Sequence, residues 1–135
     1  MKVHRMLEQQ RAREASLAVA EAKEKTKFSE YVSLVKKFPA LVVRNGLGPA
    51  VAFLLSKGKG KNRNSHALLA RQLEDWLCRK APHSPFKGKD LSLIEAIAKG
   101  SSQEYLMVSR EALAYLKWLK LLASAEGKDE KEKQE

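Results

Sequence analysis

A shortage of β-branched residues is what most narrows the folds open to this chain. Its 135 residues include 19 leucines and 17 alanines, against eight valines, two isoleucines and one threonine. Straight-chain residues lose little rotamer freedom in a helix, whereas strands draw on the branched and aromatic types that are sparse here. A chain of this length supports one modest core. The expectation is a single compact all-α bundle of about six helices over residues 1–127. Residues 128–135, Lys-Asp-Glu-Lys-Glu-Lys-Gln-Glu, offer nothing apolar to bury and are expected to form a charged, disordered tail.

Periodicity and punctuation divide the chain further. Residues 3–26 read as one helix free of Gly and Pro, although Glu8 to Glu14 is polar nearly all round. Lacking an apolar stripe, that stretch is expected to be covered by a partner subunit, with Arg11 and Arg13 at the interface. Phe28, Tyr31, Val32, Leu34, Val35 and Phe38 form an amphipathic segment that Pro39 should end or kink. A short helix over 39–45 would then close at Gly46, although Asn45-Gly46 is also a hairpin turn signal. Pro49 opens a helix apolar on nearly every side, which is expected to be central.

Residues 57–64 are a polar loop, and a helix follows from Ser65 to about Lys80 with Leu69, Leu73, Trp76 and Leu77 at core spacing. Pro82 and Pro85 mark a linker, Asp90 is the expected cap of a helix over 91–99, and Gly100 stops it. Ser101 and Glu104 have capping-box spacing and open a last helix through Ala125. Its inward stripe is Tyr105, Val108, Ala112, Leu116, Leu119 and Ala123.

Charge is unevenly placed. The net charge is +10, and residues 57–89 alone hold nine basic against two acidic groups. Such a balance favours a polyanionic partner, nucleic acid before an acidic membrane surface. Lys57, Lys59, Lys61 and Arg63 alternate with Gly and Asn, small residues that let cations and amides approach phosphates. Lys36, Lys37, Arg44 and Asn45 precede this loop and Arg71 follows it, and together they make the candidate nucleic-acid-binding set. No aromatic interleaves the loop, so it is suited to backbone contact rather than base stacking.

Nothing in the sequence composes a catalytic or metal site. His4, His66 and His83 have no carboxylate or thiol at a recognisable spacing, and Glu74-Asp75 point about 100° apart on a helix. Gly46-Leu47-Gly48 lacks a third glycine, and Gly60-Lys61-Asn62 lacks the Ser/Thr of a P-loop. The lone Cys78 cannot form an internal disulfide, which fits a reducing cytoplasm. The longest uncharged run, 45–56, is far too short to span a membrane. The expected protein is therefore no enzyme, needs no cofactor, and takes no small-molecule substrate.

Two blocks carry a resemblance. Tyr31-Val-Ser-Leu-Val-Lys-Lys-Phe-Pro-Ala-Leu, Asn45-Gly46-Leu47-Gly48 and Ala52-Phe53-Leu54-Leu55-Ser56-Lys57 form the first; Glu104-Tyr105, Arg110-Glu111-Ala112-Leu113 and Trp118-Leu119-Lys120 form the second. They resemble the small helical subunit of type III-B CRISPR (Cmr) effector complexes. The resemblance implies a non-catalytic role in antiviral defence. Several copies would stack as a minor filament beside the backbone subunit and near the large subunit, along the guide RNA–target RNA duplex. Lys36, Lys37, Asn45 and Lys57 fall inside the matching motifs, although Asn45 could equally cap a helix. An independent helical DNA- or RNA-binding protein of nucleoid type is the other reading, and would need a recognition helix.

Overall fold

The computed structural model describes the backbone of residues 2–58 and 64–134, and side chains from Met6 to Gly58 and from Asn64 to Lys128. Among the described residues there are six α-helices, one π-helical turn and no strand. They run α1 (Lys2–Lys25), α2 (Phe28–Asn45), α3 (Leu47–Lys57), α4 (Ser65–Asp75), the π turn (Trp76–Lys80), α5 (Leu93–Lys99) and α6 (Ser102–Gln134). The all-α expectation holds, and Asn45-Gly46 joins two helices rather than two strands.

The apolar spacings became one core. Leu69, Leu73, Trp76 and Leu77 are buried, as are Val108, Ala112, Leu116, Leu119 and Ala123 of α6. α2 buries Phe28, Tyr31, Val32, Val35 and Phe38, with Leu34 partly covered. The first three turns of α2 lie against the far end of α6, where Gly127 meets Val32, and its C-terminal end lies near Tyr105. The two helices are therefore antiparallel, and α1 covers the same long helix on another side.

Several expected boundaries moved. Pro39 neither ends nor divides α2, which continues to Asn45. Although Pro39 has no N–H to reach the Val35 carbonyl, Val42 beyond it is buried with Val35 and Phe38, and packing of that face outweighs the lost bond. The cap of α5 is Ser92, whose hydroxyl accepts from the Glu95 N–H at 3.2 Å; Asp90 instead adopts φ 54° in the linker. The Ser101–Glu104 capping box formed as spaced, with reciprocal bonds of 3.1 and 2.9 Å. α6 runs past Ala125 and carries the charged run to Gln134 as helix, Lys, Glu and Gln being good helix formers. α3 is only half central, since Phe53 is 39% and Leu55 46% exposed.

Gly46 is the hinge of this arrangement. Its φ of 93° ends α2 and starts α3, and a Cβ there would lie 3.0 Å from the Tyr105 hydroxyl. That hydroxyl accepts the Gly48 N–H at 3.0 Å, satisfying one of the unpaired donors in the first turn of α3. Asn45-Gly46-Leu47-Gly48 is thus a helix junction closed by α6.

The polar middle of α1 corrects the reason given for a partner. Arg11 turns inward: its Nε and Nη2 donate to the two oxygens of Glu111 at 2.7 and 2.8 Å, and Nη1 donates to Glu8 at 2.7 Å. The same carboxylates accept the indole N–H of Trp76 at 3.0 Å and of Trp118 at 3.2 Å. A stripe exists, built of charge and indole where aliphatic groups were sought, and it packs on α6. Arg11 is therefore no free interface residue, while Arg13 is exposed.

Both side chains of the Arg11–Glu111 pair are only 12% exposed. Removing one partner strands the other in a poorly solvated site, so Arg11→Met should cost about 3 kcal/mol in urea unfolding. Arg11→Met with Glu111→Leu should recover much of that loss. Lys80→Met, which removes an exposed pair with Glu14, should cost less than about 0.5 kcal/mol.

Candidate nucleic-acid interface

The basic residues separate into two populations. Arg71 pairs with Glu21 and, at 2.8 Å, with Asp75; Arg79 pairs with Asp75 at 2.8 Å and with Glu74 at 3.3 Å. Lys80 reaches Glu14 at 3.0 Å and Lys89 reaches Glu104 at 2.9 Å. Lys36, Lys37, Arg44 and Lys57 are exposed and form no ion pair with any described carboxylate. A cation already neutralised inside the molecule has less to offer a phosphate, so the second group is the better equipped.

Geometry selects again within that group. Lys37 and Arg44 lie seven residues apart on α2, two turns along one face, about 10 Å by helix rise. They stand on one wall of an open groove of about 640 Å³ between α2 and the α3–α4 pair. Its apolar lining comes from Leu34, Phe38, Leu41 and Phe53, and its far wall from His66. Lys36 lies about 100° around α2 from Lys37 and faces away from this groove. Asn45 is exposed at the C-terminal end of α2, and Arg71 is held on another side of α4 by its two acids. Lys59, Lys61 and Arg63 lie outside the described residues.

The far wall is built by a helix cap. The Asn64 side chain accepts the His66 N–H at 2.8 Å and the Ala67 N–H at 3.4 Å, while its Nδ2 donates to the Lys57 carbonyl at 3.0 Å. With Asn64 so oriented, its Oδ1 faces His66 Nδ1 at 3.2 Å, which places the neutral ring's proton on Nδ1 and leaves Nε2 as an acceptor. The imidazole also meets Phe53 edge-on, ring centres 5.7 Å apart. Burial first, and Lys57 second, hold His66 below the ordinary histidine value, with Glu30 opposing them.

Phe53 and His66 were not in the sequence-derived set. His66 reads there as a surface histidine, and Phe53 disappears into a helix apolar on every side. The one signal was surplus: α3 carries more large apolar groups than one buried face can take.

Elsewhere the chemistry is quiet. Cys78 is buried, and burial pushes its thiol up to about 11. Glu74 accepts the Leu93 N–H at 2.8 Å and, with Asp75, holds Arg79, so this acidic pair anchors α5 and the π turn. Among the described residues no cluster of His, Cys, Asp or Glu could hold a metal ion, and no helix is long and apolar enough to cross a membrane.

Fold and surface together define a small all-α protein whose described residues include the unpaired cations Lys37 and Arg44 on one wall of an open groove. Residues 7–126 match the family of CRISPR-associated proteins described as Cas_Cmr5. The CRISPR system Cmr subunit Cmr5 of Thermus thermophilus is 33% identical over 115 residues, covering 84% of this chain and 90% of that one. The crystal structure of a CRISPR-associated Cmr5 family protein from the same organism superimposes with a TM-score of 0.68 at 30% identity, over 87% of this chain and 97% of the other. The chain belongs to the Cmr5 family. The resemblance read from the two sequence blocks is thereby borne out, and the match also spans the 58–100 region between them.

The position of His66 between Lys57 and Glu30 gives a direct check. Its ring should titrate by NMR with a midpoint below about 6.5, and Lys57→Gln should move that midpoint upward. A native pKa below the unfolded one means the unfolded chain binds more protons, so this residue's contribution to stability falls as pH drops through about 6.5.

Proposed function

We propose that the chain is the small, non-catalytic subunit of a type III-B CRISPR (Cmr) effector complex acting in the cytoplasm. Several copies stack as a minor filament beside the backbone and large subunits, along the guide RNA–target RNA duplex, and present cations to the RNA backbone. What carries the reading is the combination of Cmr5 family membership over residues 7–126 with the unpaired Lys37–Arg44 wall of α2. Lys57 adds an unpaired cation at the end of α3, beside the Asn64 and His66 side of the groove, and the basic loop of Lys59, Lys61 and Arg63 follows it in sequence. Lys36 and Val43 occupy the neighbouring face of α2, and Arg13 the outer face of α1. These exposed positions are available to adjoining subunits or to a second copy.

Phosphate contact of this kind is sequence-independent and sensitive to salt. Each neutralised phosphate of a single strand contributes roughly 0.7 to the slope of log K against log salt. Replacing Lys37, Arg44 and Lys57 together by Gln in the assembled complex should flatten the slope for target binding by about 2, equally for every matched target. An unchanged slope would make the wall a solubility feature.

A further inference from the structure

The groove beside Lys37 and Arg44 has the wrong lining for phosphate alone. Its floor is Leu34, Phe38 and Leu41, its rim includes the edge-on aromatic pair of Phe53 and His66, and only the α2 wall carries cations. Phe53 keeps 39% of its surface exposed although it belongs to the most apolar helix of the bundle. One carboxylate, Glu30, also lines the groove, and it turns a phosphate away from the interior. A ligand suited to these walls has an uncharged, flat, partly apolar part that enters and anionic parts on either side that stay at the rim.

We propose that this groove receives a single unstacked nucleobase of an RNA strand, with the base against Phe53 and His66 and the flanking phosphates on Lys37 and Arg44. The idea rests on the RNA-backbone reading above and adds a base to it. A volume of about 640 Å³ accommodates a purine, and the two-turn spacing of the cations sets them apart along the strand rather than on one phosphate. His66 enters as the neutral ring, its Nε2 free to accept an N–H, and the Glu30 carboxylate can accept an exocyclic amine. Stacking on aromatic rings tolerates any base, because every base has a π face.

The test compares two probes on the full-length chain at low ionic strength: a short oligoadenylate, and an oligomer of the same length with abasic sites in place of the bases. Base-bearing RNA should bind about tenfold tighter than the abasic strand. Phe53→Ala should erase that ratio while leaving helicity and melting temperature near wild type, and Lys37→Gln with Arg44→Gln should weaken both probes alike. Amide shifts of Phe53 and His66 should respond to oligoadenylate and not to the abasic strand. Equal affinity for the two probes would overturn the base site and leave backbone contact standing. If neither probe binds, the backbone reading falls together with the base site. A ratio that survives Phe53→Ala would place the base elsewhere. A groove that stays silent to RNA but becomes protected by a protein subunit on assembly would assign it to a protein neighbour instead.

Discussion

The bundle is organised around a single guanidinium. Arg11 is forked between Glu111 of α6 and Glu8 of its own helix, and each of those carboxylates holds an indole N–H as well. A planar fork matched to a carboxylate gives both strength and direction, which aliphatic packing lacks. The Trp76 ring, fixed at its nitrogen, stacks on Tyr115 with centres 5.3 Å apart. One charged centre thus sets the relation of α1, α6 and the π turn. An ion pair this poorly solvated is a weak source of net stability compared with a well-packed apolar triad. Its effect is on register: the fork fits one placement of α1 on α6, whereas a leucine stripe would accept several.

A second polar knot ties α1, α2 and α4. The Tyr31 hydroxyl donates to Gln72 at 2.7 Å, and the Gln72 amide donates to the Ala18 carbonyl at 2.9 Å and to Glu21 at 3.2 Å. Glu21 in turn holds Arg71, so that arginine is already paired within the molecule. The acids of α1 and α4 therefore do structural work on one side of the molecule and leave the groove wall of α2 unneutralised. Those acids take up Arg71, Arg79 and Lys80, whereas Lys37 and Arg44 beside the groove have no such partner.

This also explains what could be read from the sequence and what could not. Helical class, the α4 and α6 stripes, and the Ser101 cap depend on spacing within one element, and each is local information. Pro39 misled because the decision there belongs to packing: the buried face of α2 continues through Val42 and holds the helix together across the missing hydrogen bond. Arg11 misled for the same reason at longer range. Its partner stands 100 residues away, and no periodicity in α1 alone distinguishes an arginine that faces solvent from one that faces a buried glutamate. The linear charge count pointed to 57–89, yet Arg71, Arg79, Lys80 and Lys89 of that stretch are paired, while Lys37 and Arg44 on α2 and Lys57 at the end of α3 are among the described cations without an ion pair.

The residues that carry the family resemblance are mostly ones that build the frame. Glu111 and Trp118 belong to the Arg11 centre, and Tyr105 closes the Asn45-Gly46-Leu47-Gly48 junction from across the bundle. The two recognisable blocks, far apart in the chain, meet at that hydroxyl. Its bond to Gly48 fixes where α3 leaves α2, and the α2–α3 angle sets how far Phe53 stands from Lys37 and Arg44 across the groove. A side chain at Gly46 would press on the Tyr105 hydroxyl and demand a backbone conformation that L-residues rarely adopt. Any such change would reach the groove through the rotation of α3, without touching a residue that lines it. The motif and the candidate interface are thus coupled by geometry: the glycine junction positions the wall that faces the free cations.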